Sequence, residues 1–350
     1  MRGKALRLYR GFVRRKVWVI LSLLLLLFLL SLLSLSLGAA RLGPGEVWRA
    51  FFSRFLPLSP PDRLSEVIVW ELRVPRVLLA VLAGAGLALA GAVSQGLLRN
   101  PLASPYTLGI SSAAGFGASL ALVLGLGVVG GEYLVVANAF CFALLATLLV
   151  WALGLKKGMS PESVILAGIA VMYLFSSLTS ILQYAAEPRA LQGVVFWLMG
   201  GLHTATWEGV LPVLVLLLLC SPPLLGSSWD LNAIAVGDET ARSLGVNVKR
   251  VRGMGLVLLS LLTAGIVSFT GTIGFIGLVS PHLARMLVGG DHRFLLPCSC
   301  LVGALLLLGA DTLARTLLAP TEIPVGAITS LLGIPFFLHL LLRKRRDYWP

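Results

Sequence analysis

Between Thr270 and Arg293 the chain reads TGTIGFIGLVSPHLARMLVGGDHR. Pro281, His282 and Arg285 interrupt a glycine-rich apolar run there, and the charged turn Asp291-His292-Arg293 closes it. A helix that only anchors a protein in lipid has no use for such residues. Inside a span they face protein or a water-filled path, which points to a membrane protein that moves something. Bond-making chemistry has no such footing. The sequence holds no GxxxxGK[ST], no HExxH, no GxSxG and no paired acids within a span, so it reads as neither a nucleotide-hydrolysing nor a metallo- or serine-dependent enzyme. His203, His282, His292 and His339 are scattered, and axial haem ligation by any of them is disfavoured. A path must also bind its cargo weakly enough to release it.

These residues need a scaffold, and composition says which kind. Of 350 residues 57% are hydrophobic and 12% charged, against about 25% charged in a soluble domain. Lipid must therefore be the solvent for most of the chain. The net charge of +13 does not indicate nucleic acid, because the basic residues sit in short clusters between apolar spans without aromatic interleaving. Cys141, Cys220, Cys298 and Cys300 lie in or beside those spans; Cys298 and Cys300 form a CxC, not a metal spacing. All four read as small buried hydrophobes.

Hydropathy and loop punctuation predict ten spans, at 17–37, 76–98, 106–127, 132–153, 162–185, 207–226, 251–272, 274–289, 295–318 and 325–342. The first is too long for a signal-peptide core and reads as a retained helix. The eighth is short for a membrane of about 30 Å, so it is tilted or only a partial span. An even number puts both ends on one side. The tails MRGKALRLYRGFVRRK and RKRRD make that side the cytoplasm, and most of the 28 Lys and Arg then fall inside. The segment 38–66, with GEVWRAFFSRFL, is amphipathic and expected on the outer interface. Gly84, Gly86, Gly91, Gly109, Gly115 and Gly117 suit tight helix packing, whether as packing alone or around a path. Asp311 is the sole acid well within a span, and Arg315 one turn on can neutralise it. That disfavours the rival reading, an ion-coupled secondary transporter with no ATPase partner.

Four long stretches are similar to one family, in order. They are RVPRVLLAVLAGAGLALAGAVSQGLLRNPLASPYTLGISSAAGFGA (73–118), GDETARS with LGVNVKRVR (to 252), GTIGFIGLVSPHLARMLVGGDHRFLLP (271–297) and ADTLARTLLAPTEIPVGAITSLLGIPFFLHLLLR (310–343). The chain resembles the FecCD family of ABC-transporter permeases, the membrane subunits of importers for vitamin B12, haem and ferric siderophores. The resemblance implies an all-α polytopic membrane protein, a ten-helix type II importer permease forming a single domain over 1–350. It implies a pair of ABC ATPase subunits inside, an extracytoplasmic solute-binding protein outside, and a second permease copy or paralogue. No cofactor is expected in this chain, ATP and Mg belonging to the ATPase. The location implied is the prokaryotic cytoplasmic (inner) membrane. The path would be lined by the fifth, eighth and tenth spans.

Within the loop 229–250, Gly237, Asp238 and Glu239 can open a short helix with acids at its positive end. Leu244 and Gly245 follow beside Arg242, Lys249 and Arg250. On its own this reads equally as a solvated loop helix or as one that docks into another protein; the resemblance makes it the coupling helix contacting the ATPase. Arg73, Arg76 and Arg315 fall at the outer side, against the positive-inside trend. The resemblance implies that they hold carboxylates of the binding protein, for which arginine forks are suited. Arg315 can also pair with Asp311. Asn100, Pro101 and Leu102 end the second span and Ser160-Pro161 opens the fifth. By resemblance Asn100, Leu102 and Ser160 border the cytoplasmic gate, while a helix cap followed by a proline turn is an equal reading of Ser160.

Overall fold

In lipid every backbone polar group needs an internal partner, which leaves helices or a closed barrel. The computed structural model describes residues 2–38, 42–56 and 62–342, and every regular element among them is helical. In chain order they are α1 (Arg2–Ser36), α2 (Pro44–Phe52), α3 (Arg63–Val67), α4 (Val74–Leu98), α5 (Ile110–Leu124), α6 (Leu134–Lys156), α7 (Pro161–Ala185) and α8 (Pro188–Met199). Then come α9 (Trp207–Gly226), α10 (Ser228–Val236), α11 (Asp238–Ser243), α12 (Val248–Thr270), α13 (Ile276–Val288), α14 (His292–Thr316) and α15 (Val325–Leu342). A π-helical stretch, Ile68–Arg73, runs from α3 into α4. Seven helical stretches are long and apolar enough to cross a membrane, and α5, α13 and part of α15 are shorter apolar helices. Arg41, the tail from Arg343 and the side chains of the first ten residues and of His339 lie outside the described residues.

The middle of the bundle is α4. It packs on α9, α12, α13 and α14, most extensively on α14. Its small residues make that possible. A Cβ at Gly84 would lie 2.4 Å from the carbonyl oxygen of Gly303 on α14, and one at Gly91 would lie 1.7 Å from that of Gly277 on α13. Backbones thus touch where side chains would separate them. α5, α6 and α7 form a second packed group, and Phe116, Phe142 and Phe175 meet there with centroids 5.0–6.2 Å apart.

One stretch to which the sequence reading assigned no element is helical, and two features depart from the sequence expectation. The stretch after the fifth span contains α8, started by Pro188 after Glu187 and stopped by Gly200. The loop 229–250 holds two helices, since α10 precedes α11; Gly237 separates them at φ 140° and ψ 150°, a region open essentially to glycine. Cys141 is exposed on α6, whereas Cys220 and Cys298 are buried; the expectation of four buried thiols fails because α6 turns one face outward. The short eighth span is confirmed as short: α13 has 13 residues, about 20 Å of rise.

Side-chain bonds gather the loops into two ends. At one end the Arg252 guanidinium donates to Leu97 O and Met159 O, and Asn232 donates to Asp291. At the other, the Trp70 indole donates to Ala50 O, Trp207 to Trp70 O, and Tyr133 to Glu208. This alternation is the one that the charge pattern assigns to inner and outer loops, so the two are called the inner and outer ends below.

Candidate functional site

The inner end is organised around a fully buried cation. Arg252 stands one turn into α12 and is 1% exposed. Its Nε donates to Leu97 O at 2.9 Å and one terminal nitrogen to Met159 O at 2.7 Å. The two terminal nitrogens meet the Asp238 carboxylate at 3.1 and 3.0 Å. Asp238 opens α11, and Arg99 lies 3.8 Å away. Burial alone would raise the Asp238 pKa; the hydrogen bonds and charge of Arg252, with the charges of Arg99 and Arg242, outweigh it and hold the carboxyl below its ordinary value. Glu239, Arg242, Leu244 and Gly245 are exposed, with Leu244 at 69%. The sequence reading placed Asp238 and Glu239 alike on a contact surface; the structure separates them, with Asp238 turned inward and Glu239 outward. Arg252 was legible only as one more inner basic residue. Its signal was position: it follows Lys249 and Arg250 into the apolar helix, where Gly253 and Gly255 begin the packed face.

The turns flanking this cation carry Asn100, Leu102 and Ser160. The Asn100 carboxamide accepts from Leu102 N–H at 2.9 Å, and Leu102 is exposed. Ser160 caps α7, its hydroxyl accepting from Ser163 N–H at 3.3 Å, so the cap reading of Ser160 holds. His282 on α13 has Nε2 3.0 Å from Pro101 O, placing that histidine against the same turn. His292 lies elsewhere, its Nδ1 2.8 Å from the Asn232 side chain. Arg285 reaches Gln95 on α4 at 3.4 Å. Asp291 caps α14. Burial would raise its pKa, but hydrogen bonds from Arg293 and Asn232 lower it to about 2.

In the core, the chain between α12 and α13 is not helical. Residues 271–275 are irregular, with Gly271 at φ 65° and Phe275 at φ 66°. Irregular backbone at this depth is tolerated where protein or a cavity surrounds it. Both are present. Gly201 N–H donates to Thr270 O at 2.8 Å, and Thr272 donates to Leu198 O. On the other side lies a cavity of about 590 Å³ between α4, the turn before α5, α8, α12, α13 and α15. Hydroxyls of Ser104, Thr107, Ser111 and Ser330 share its wall with Tyr106 and Phe275, and none of the described residues lining it is charged. The eighth and tenth spans, α13 and α15, line this space. The fifth, α7, does not; it turns an exposed face bearing Tyr173, Ser176, Ser177 and Ser180 away from its neighbours.

At the outer end Arg73, Arg76 and Arg315 converge on a cavity of about 220 Å³ that His203 and Glu322 also line. Arg73 and Arg315, 5% and 3% exposed, bind the C-terminal carbonyls of α1. Arg73 donates to Leu35 O and Ser36 O at 2.8 and 3.1 Å, and Arg315 to Ser34 O and Leu37 O at 2.7 and 3.0 Å. These are carbonyls that a helix end leaves without partners. Arg76 pairs with Asp311 and, toward solvent, with Glu322 at 2.9 Å. The i,i+4 pair of Asp311 with Arg315 is present at 3.5 Å, but Arg76 is the closer partner.

The FecCD transport family profile matches residues 24–343. The chain belongs to the FecCD transport family. It is therefore a membrane permease subunit of an ATP-binding-cassette importer. Among relatives of this FecCD chain are the cobalamin import system permease of Halobacterium salinarum and the hemin transport system permease of Yersinia pestis. The first is 44% identical, over 79% of this chain and 74% of the relative. The second is 42% identical, over 93% and 95%. Among solved structures, a transporter assigned to the metal-chelate ABC type, in an inward-facing conformation, superposes with a TM-score of 0.81. It is 37% identical, over 92% of this chain and 98% of that one.

Proposed function

We propose that this FecCD permease carries a metal chelate, such as a ferric siderophore, haem or cobalamin, into the cytoplasm. The observation that carries the reading is the uncharged core cavity. A cargo whose metal charge is masked by its chelator meets hydroxyls, aromatic rings and apolar walls there, and no fixed charge that would hold it. Among the described lining residues a bare oxyanion would find no arginine or lysine. An ion-coupled carrier would instead place a titratable group beside its cargo. Partner copies of α7, with their exposed seryl face, complete the path in the assembled transporter.

In this reading both termini are cytoplasmic, in the inner membrane. Two ABC ATPase subunits bind the surface of α11 and hydrolyse ATP with Mg²⁺. A solute-binding protein sits on the outer end, where the arginine-lined cavity receives its carboxylates, and a second permease copy forms a homodimer. The supports are family membership, the exposed α11 face and the cationic outer cavity.

The test is uptake into membrane vesicles. Entry of a metal chelate should require ATP and persist when an uncoupler collapses the proton gradient. Uptake that stops with the uncoupler and ignores ATP would return the ion-coupled alternative. Orientation is tested separately with single cysteines in a background lacking Cys141, Cys220, Cys298 and Cys300. A cysteine at Thr240 should react with an impermeant thiol reagent only from the cytoplasm, and one at Glu132 only from outside. Reaction of both from one side would break the span count between them.

A further inference from the structure

Arg252 touches three chain segments that otherwise belong to different parts of the bundle. Leu97 O is at the end of α4, directly before the Asn100–Leu102 turn. Met159 O lies in the turn that leads into α7, next to Ser160, and Met159 itself has φ 58°. Asp238 is the first residue of α11. We propose that Arg252 is the positioning residue that carries displacement of α11 to the two turns at the inner mouth, through its paired contacts with Asp238, Leu97 O and Met159 O. The proposal rests on α11 being the ATPase contact surface.

The side chain suits this role for physical reasons. A guanidinium offers five donors in a rigid plane, and four of its contacts are made here in fixed directions. Arg252 is 1% exposed, so its contacts with Leu97 O and Met159 O are shielded from solvent, while the Asp238 carboxylate meets it at the partly exposed edge of the site. Leu97 O is one of the last carbonyls of α4 and has no continuing helix to bond it; Arg252 terminates α4 and holds α11 with the same group. A push on α11 therefore cannot be absorbed at Asp238 alone. The outward residues Glu239 and Arg242 of α11, and Leu244 just after it, make none of these contacts, so binding of a partner and transmission of its motion reside on different side chains. A parallel contact runs from Asn232 on α10 to Asp291 and His292. It leads to α14 and bypasses both turns.

The role is tested by hydrogen–deuterium exchange on the permease in nanodiscs, bound to the ATPase with which it purifies, with and without ATP. In the native chain ATP should change exchange at 238–244, at 99–103 and at 159–163 with one nucleotide dependence. Arg252→Lys keeps the charge but replaces the planar fork with one compact ammonium. The ATPase should still co-purify and 238–244 should still respond, while the response of the two turns falls to the level seen without nucleotide. Full responses at both turns in Arg252→Lys would overturn the proposal. Should that variant fail to fold, the native chain still decides: turns that respond at a different nucleotide midpoint from 238–244, or without it, overturn the relay. Absence of any ATP response at 238–244 in the native chain would sink the contact-surface reading instead, a distinguishable result.

Discussion

Arg76 and Asp311 form the innermost ion pair of the outer end: the Arg76 Nε donates to the two carboxylate oxygens at 2.9 and 3.2 Å, and Asp311 has no solvent exposure. The pair ties α4 to α14, the most closely packed helices of the bundle. Arg315 supports the same carboxylate from one turn along α14.

Removing that acid leaves Arg315 without its carboxylate and Arg76 with Glu322 alone. Breaking a buried pair by deleting one partner typically costs about 3–5 kcal/mol. Asp311→Ala should therefore lower the thermal midpoint of the purified permease sharply, and Asp311→Glu should lose less. A midpoint unchanged in Asp311→Ala would show that the pair is not structural.

Docking is the second expectation. Arg73 and Arg315 hold α1, so charge reversal there would damage the fold, whereas Arg76 also faces Glu322 at the cavity mouth. An incoming carboxylate has to compete with Glu322. Glu322→Gln should strengthen association of the solute-binding protein at low salt, and Glu322→Lys should strengthen it further, while Arg76 keeps its buried pair with Asp311 in both. Each effect should shrink as salt rises, since a rim pair is worth only about 0.2–1 kcal/mol. Surface plasmon resonance at two ionic strengths checks both; unchanged affinity in both variants would remove this cavity as the docking site.

Coupling is the third. Glu239 and Arg242 are exposed on α11, and reversing both keeps the net charge. Glu239→Lys with Arg242→Glu should reduce ATPase co-purification and transport together, while the thermal midpoint of the isolated permease stays within about 0.5 kcal/mol equivalent of native. Normal transport with normal co-purification would move the contact surface elsewhere.

The fourth concerns acid. Asp291 titrates at about 2 in the folded chain, against about 3.9 when unfolded. A depressed carboxylate pKa adds stability that is complete above the unfolded value and is lost as pH falls from about 4 toward 2. Asp238 is also depressed and acts in the same direction. Thermal midpoints should fall across this window, and Asp291→Asn should be less stable at neutral pH with a shallower acid dependence. An identical slope in the variant would remove Asp291 as a contributor.

Much of the architecture was legible because lipid imposes simple rules. A span is long, apolar and helical, so the bounds of α9 and α15 follow from hydropathy alone, and those of α7 and α12 lie within a few residues of expectation. Basic residues and loop punctuation assign the ends, and Gly84 and Gly91 announce close packing before any coordinate is known. The short helix opening at Asp238 was likewise readable from its glycine and acids.

What only the tertiary structure decided is which charged side chains meet. Arg76 and Asp311 are 235 positions apart, and nothing in local periodicity pairs them. Arg252 counts as an ordinary inner-loop cation until α4, the α6–α7 turn and α11 are brought around it. Sequence spacing fixes the face of a helix on which a residue stands, because the helical repeat is local. The identity of the opposing face depends on how the helices pack, and the partner of a buried charge is known only once that packing exists.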